Sequence, residues 1–244
     1  MSETIFMIDK NRKSRMIRTL VFDLGGVIMD HNIPLCIEKF TRILGPNIAA
    51  LGLQPNGEAA DMDDSESKRL QVALSVAANT STIMRDYELG LISSDDFAEA
   101  ILKLAKPGFT HEDVFDAWDA MHAGIPAYRF QLLKKWHLHY PIYALSNNNE
   151  EHWRHIHAEY PDFDTYFDRS FASHIVHLGK PDPRIFELAN KQIAADYEAV
   201  GEAYRPEETI FIDDIESNRL AARQFGWQTC ASVEELEELL EKNA

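Results

Sequence analysis

The sequence predicts an α/β fold, a Rossmann-like parallel sheet with helices on both faces, carrying a small α-helical cap domain. Three observations predict it. Short apolar runs alternate with longer amphipathic stretches through the second half of the chain, the pattern of strands connected by crossover helices. The stronger runs stop at Gly, Ser, Asn or Asp, residues suited to the loops at the carboxyl ends of strands. Between Asp30 and about Gly124 helical spacing takes over and no convincing strand appears.

Taken in order, residues 1–15 read as an extension ahead of the first strand. Thr19 to Leu24 (TLVFDL) is that strand, rich in β-branched and aromatic residues. In the helical region, Asp95 to Ala105 places Phe97, Ile101 and Leu104 on one face. Ser93 or Ser94 caps that helix, and Asp95 and Asp96 favour its positive end. The acidic run Ala60 to Ser67 lacks the glycine and terminal glutamate of a calcium loop and reads as a solvated loop. Further on, Ile142 to Leu145 and Thr209 to Ile212 are strands, and Gln228 to Ala231 is a weaker one. Helices over Tyr128 to Trp136, Asp182 to Ala195 and Glu216 to Phe225 separate them. The tail Ser232 to Lys242 is a helix with a capping box of Ser232 and Glu235. This organises the chain as a core of residues 16–31 and 125–244, with the cap at 32–124.

Composition narrows the function. The 244 residues are 45% hydrophobic, enough for a sizeable core. The formal charge of −16, from 40 acidic against 24 basic residues, opposes binding of a nucleic-acid backbone. The two cysteines, Cys36 and Cys230, read as buried free thiols of a reducing compartment. No stretch has the length and apolarity of a signal peptide or membrane span, so the expectation is a cytoplasmic protein with a small-molecule substrate.

Chemistry-bearing residues gather where the strands end. Asp23 is displayed at the mouth of the sheet, and Gly25 and Gly26 allow a sharp turn with amides facing an anion. Ser146 ends the next strand in LSNNN, either as a hydroxyl for an anion or as a helix cap. Lys180, in GKPDPRIFE, stands at a helix entrance marked by proline. Asp213 and Asp214 are adjacent carboxylates at a strand tip, costly unless hydrogen bonds or a hard cation compensate.

In order and placement these segments resemble the motifs of the haloacid dehalogenase-like superfamily, from about Met16 to the end of the chain. FDLGGV is similar to the first motif, LSN to the second, the lysine of GKPDPRIF to the third and FIDD to the fourth. The resemblance is to the phosphatase branch with a helical cap after the first motif. It implies a magnesium-dependent phosphohydrolase in which Asp23 becomes a transient aspartyl phosphate. Magnesium would be held by Asp23, the Gly25 carbonyl and Asp214, with Asp213 close by or acting through water. Phosphate would be bound by Ser146, Lys180, the backbone at Leu24 and Gly25, and Asn147 through its backbone amide or side chain. YELGLIS (Tyr87 to Ser93) resembles a cap element that faces the substrate.

The chain departs from the family pattern at Gly25, where phosphatases usually carry a second aspartate that protonates the leaving group. Its loss puts in doubt acid–base catalysis, generally ~10² to 10⁴-fold, and favours substrates with an acidic leaving group, such as a sugar 1-phosphate. It also leaves room for a metal-free haloacid dehalogenase, or for a non-catalytic phosphate- or partner-binding member of the fold. The Asp213–Asp214 pair argues for the metal-dependent enzyme. His152, His155 and His157 do not share one helical face and read as surface residues. His31 lies near the cap hinge, within reach of substrate. Trp136, Trp153 and Trp227 read as packing.

Overall fold

The computed structural model of the chain describes residues 17–51 and 82–242. The extension 1–15 and the acidic run of residues 60–67 lie outside them. The core is a five-stranded, all-parallel sheet in the order β3-β2-β1-β4-β5. Its strands are β1 Thr19–Phe22, β2 Ile142–Ser146, β3 Arg169–Ala172, β4 Thr209–Ile212 and β5 Gln228–Cys230. β3 has no counterpart in the sequence reading. It is an edge strand whose first residue is exposed, with only Phe171 and Ala172 buried, so no apolar run announces it.

Neighbouring residues on each strand feed opposite faces, as a period of two requires. Leu20, Phe22, Ile142, Ala144, Ile210 and Ile212 pack with α5 (Ala127–His137), α6 (Glu150–Glu159) and α10 (Val233–Lys242). Val21, Tyr143, Leu145 and Phe211 pack on the other side with α8 (Pro183–Ala199) and α9 (Glu216–Arg223). Each large apolar side chain buried this way contributes about 1.5–3 kcal/mol. The predicted α/β class, with helices on both faces, is what forms. Chain order reverses around β1: β2 and β3 lie to one side, β4 and β5 to the other. The carboxyl ends of β1 and β4 therefore border a topological switch point, where such sheets bind ligands.

The helices between β1 and α5 have a separate apolar centre. Among the described residues they are α1 (Ile33–Leu44), α2 (Thr82–Glu88), α3 (Ser94–Leu102) and α4 (His111–Asp119). Phe40, Tyr87, Phe97 and Trp118 are its largest members, Tyr87 stacking on Phe97 at 4.2 Å and Phe97 meeting Trp118 at a tilt, 5.3 Å between centroids. Ser93 and Asp96 cap α3 reciprocally, and Thr110 and Asp113 do the same for α4. At α10 the expected box forms only by half. Ser232 accepts the amide of Glu235 (3.3 Å), but the Glu235 carboxylate reaches back to the amide of Ala231 (2.7 Å).

Two chain crossings join this helical unit to the sheet and pair with each other. Asp30 donates to Gly124 O (3.0 Å) and receives from Ala123 (3.0 Å), and Asn32 donates to Met121 O (2.7 Å). His31 and His122 face each other across this bridge. A second seam runs from α2 to α7, the short helix Ser173–Val176. Ser173 Oγ donates to Glu88 O (2.6 Å), and the His177 ring lies 2.8 Å from Leu89 O. Gly90 lies on this seam at φ +63°, and a Cβ there would stand 2.2 Å from His174 O. Gly90→Ala is therefore expected to lower stability by about 2 kcal/mol, from left-handed strain together with a backbone clash. A thermal melt checks this, and an unchanged Tm would mean that the seam yields freely.

Candidate active site

The loop after β1 is a closed turn. The amides of Ile28 and Met29 both donate to Leu24 O at 2.8 Å, and Gly26 donates to Met29 O at 2.8 Å. The two glycines do different work. Gly26 takes φ +73°, the conformation the turn needs. Gly25 does not; a Cβ there would lie 2.4 Å from His31 Cε1, so its missing side chain is the space the imidazole fills.

Asp23 and Asp213 continue neighbouring strands. The Asp23 amide donates to Ile212 O (2.8 Å) and the Asp213 amide to Cys230 O (3.2 Å). Between their side chains lies Lys180, whose Nζ is 2.8 Å from Asp23 Oδ1 and 2.7 Å from Asp213 Oδ2. Lys180 is 3% exposed and its ammonium also sits over the Phe211 ring, 5.3 Å from the centroid. Asn147 positions this lysine. Its side chain donates to Lys180 O (2.9 Å) and accepts from Lys180 N (2.7 Å). Of the two routes by which Asn147 is expected to support the phosphate site, its side chain is committed to the lysine backbone. Leu24 is also engaged, its amide donating to Asp23 Oδ1 (2.7 Å).

The two adjacent carboxylates differ. Asp213 is fully buried and saturated: Oδ1 accepts from Ile215 N (2.8 Å), and Asn218 Nδ2 donates to both oxygens (3.2 and 3.0 Å). Asp214 keeps a buried Oδ1 with no partner among the described residues. Carboxylate oxygens of Asp23, Asp213 and Asp214 all lie within 4.8 Å of one another. Burial pushes the Asp23 carboxyl up to about 8, with Lys180 opposing and Asp213 and Asp214 adding to the rise. Burial and then Asp213 push Asp214 up to about 6. Burial disfavours the charged form of Lys180, but the carboxylates of Asp213 and Asp23 prevail and raise its pKa.

A hard divalent cation fits this arrangement. The donors are all oxygens, and among the described residues one of them is unpartnered and the three carboxylates face a single ammonium. A dication among them would return Asp23 and Asp214 to their ionised forms.

Asp23, Leu24, Gly25, Ser146, Asn147 and Lys180 line one cavity at the carboxyl end of the sheet. Ser146 is buried there, its hydroxyl making only a long contact with Asn147 O (3.3 Å). The helical unit forms the opposite wall with Met84, Glu88, Trp118 and Met121, and His31 and His122 enter from the hinge. Glu88 is pushed up to about 7 by burial. Tyr87, expected near the substrate, faces the other way. It is buried against Phe97, bonds Ser94 Oγ (3.0 Å) and accepts the amide of Glu151 (3.2 Å).

His152 is not the surface residue that helical spacing suggested. It is 6% exposed, with its ring held between the Asn149 side chain (3.2 Å) and Trp118 O (3.1 Å), because the end of α4 covers that face of α6. His155 instead pairs with Asp119 (3.3 Å) and His157 with Asp164 (3.0 Å), so the three rings have separate partners. Trp136 stacks on Phe22 and Trp227 packs against Phe186 and Phe211. Sequence reasoning missed Asn218, Trp118 and His122. Asn218 alone left a signal, as an amide five residues beyond Asp213 on the helix that follows it.

Known proteins resemble this chain over most of its length. The family model described as haloacid dehalogenase-like hydrolase matches residues 17–226. A D-ribitol-5-phosphate phosphatase of Bacteroides thetaiotaomicron is 26% identical over 219 residues, 88% of this chain and 91% of that protein. Among solved structures, a HAD family enzyme of Bacteroides thetaiotaomicron, an aspartate-to-alanine mutant in complex with magnesium and inorganic phosphate, aligns with a TM-score of 0.67. It is 27% identical, over 88% of this chain and 93% of that one. A HAD-like family hydrolase from Porphyromonas gingivalis aligns at 0.68 with 26% identity, over 92% and 98%. Among the described residues, no helix is long and apolar enough to cross a membrane.

Proposed function

Because the chain belongs to the haloacid dehalogenase-like hydrolase family, we propose that it is a magnesium-dependent phosphatase. Its substrate is a small phosphorylated metabolite, a sugar or sugar-alcohol phosphate, consistent with the phosphatase among its relatives. The observation that carries the reading is the convergence of Asp23, Asp213 and Asp214 around Lys180 at the switch point of the sheet.

Asp23 is the nucleophile. Its Oδ1 is occupied by Leu24 N–H and Lys180, which fixes the carboxylate plane and leaves Oδ2 to attack phosphorus. The P–O bond to the leaving group breaks as the aspartyl phosphate forms, and the departing alkoxide takes its proton from water. Water then attacks that phosphorus and the Asp23 carboxylate leaves, releasing inorganic phosphate. Lys180 and Ser146 bind the transferring oxygens, and Asn147 keeps the lysine in register. Asp23, the Gly25 carbonyl and Asp214 would hold magnesium, with Asp213 fixing Lys180 behind them. Bound there, the ion would neutralise charge on the phosphoryl group and the carboxylates. The helical unit of α1 to α4 serves as a cap over the cavity, and Glu88, rather than Tyr87, is its acidic contact with substrate.

The test is phosphate release from a panel of phosphorylated metabolites with magnesium present, sugar and pentitol phosphates included. Turnover of one or more supports the reading; no release from any would overturn it. The glycine at 25 adds a second expectation. With no carboxylic acid at that position, rates across esters of graded leaving-group pKa should fall steeply as the pKa rises, when the first step limits turnover. A flat profile would show that another group delivers the proton.

A further inference from the structure

The cavity that holds Lys180 is also lined by polar atoms that the reaction does not use. Both ring nitrogens of His122, Nδ1 of His31 and Nε1 of Trp118 are buried and have no hydrogen-bond partner among the described residues. All three residues line the cavity that holds Asp23, Ser146 and Lys180. Buried polar atoms are nearly always paired, so several orphans on one wall of one cavity point to a ligand that pairs them. Their positions are fixed. The His122 ring stands perpendicular to His152 at 4.2 Å and stacks on His155 at 5.3 Å, and Trp118 is locked in the aromatic cluster of the helical unit.

We infer that His122, with Trp118 and His31, forms a hydroxyl-binding subsite, and that the group esterified to phosphate is a polyol chain; this rests on the phosphatase reading above. The chemistry of the wall selects that class. An uncharged imidazole offers one donor and one acceptor, and an indole offers a donor only. Adjacent hydroxyls can both give and receive, so a polyol can answer all of these atoms at once. Burial, reinforced by His31 and His155, pushes His122 down to about 3 and so keeps it uncharged. An alkyl or aryl group would leave the nitrogens unpaired. A second phosphate or a carboxylate would meet no cation on this wall, since Lys180 is the only Lys or Arg among the described residues lining the cavity, and it would lie near Glu88.

The experiment separates binding from turnover. The Asp23→Asn protein, with magnesium, is titrated calorimetrically with inorganic phosphate, a pentitol phosphate and n-pentyl phosphate. Expected is a pentitol phosphate affinity at least about tenfold above that of pentyl phosphate, because unanswered buried polar groups penalise the ester without hydroxyls. Adding His122→Phe should erase most of this preference while inorganic phosphate binds as before. His122→Gln, which keeps a donor and an acceptor, should restore part of it. Equal binding of the two esters to the Asp23→Asn protein, or a preference that survives His122→Phe, would overturn the subsite. Failure of inorganic phosphate itself to bind would take the phosphatase reading down with it, a result distinct from either.

Discussion

Asp23→Asn is expected to lower turnover by more than about 10³-fold while the protein folds and still binds inorganic phosphate. The structure explains why the two effects separate. Oδ1 of Asp23 already accepts from Leu24 N–H and Lys180, and an amide oxygen in the same place keeps both bonds. The amide nitrogen then takes the position of the attacking oxygen, where it has no available lone pair. Stability should move the other way. Without metal, the folded state holds the Asp23 proton up to about pH 8, whereas the ordinary carboxyl releases it near 3.8. Folding therefore becomes less favourable as pH rises between those values, because the folded state resists the ionised form. Asp23→Asn removes this penalty, so its Tm in metal-free buffer should exceed that of the parent near pH 8, and the gap should close towards pH 4. Turnover that survives the substitution would end the covalent mechanism. A Tm gap that widens as pH falls would end the electrostatic account of the site.

What could be read from the sequence followed from what a single segment can announce. β1, β2 and β4 are short, buried and dense in β-branched or aromatic side chains, and each declares itself locally. β3 does not, because an edge strand beginning Arg169–Ser170 gains its structure from pairing with β2 rather than from its own composition. The same division holds in the cavity. Asp23, Ser146, Asp213 and Asp214 end strands or follow them directly, so the rule about carboxyl ends of parallel strands gathers them, and Lys180 joins them from the approach to α8. Nothing local says that the Asn147 side chain grips Lys180 from 33 residues away, or that the end of α4 covers His152. Gly25 is instructive in another way. As a lost aspartate it reads as a subtraction; in the folded chain the vacated volume holds the His31 imidazole. Only the tertiary structure supplies that fact.

Removing the metal, or its unpartnered ligand, is the second large effect expected. Chelator should reduce activity by more than about 10³-fold, the scale of several kcal/mol of transition-state stabilisation, and added magnesium should restore it. Asp214→Ala should reproduce the loss with magnesium present and without harm to the fold. Asp214 Oδ1 has no partner among the described residues and the carboxylate's backbone hydrogen bond is with its own amide, so the substitution strips no other residue of a partner there. Asp213→Ala is the contrasting case. It strips Lys180 of one carboxylate and leaves the Asn218 side chain and the Ile215 amide without their acceptor, so it should cost stability as well as activity. The two are told apart by thermal melts with and without magnesium. The parent should be stabilised on adding the ion, by about 2.7 kcal/mol at a hundredfold excess over its Kd. Asp214→Ala should melt as high as the metal-free parent and gain little from magnesium, whereas Asp213→Ala should start lower. Full activity in excess chelator would remove the metal from the mechanism. A parent-sized magnesium shift in Asp214→Ala would move the ion to other ligands, because the unpartnered oxygen would then have no part in holding it.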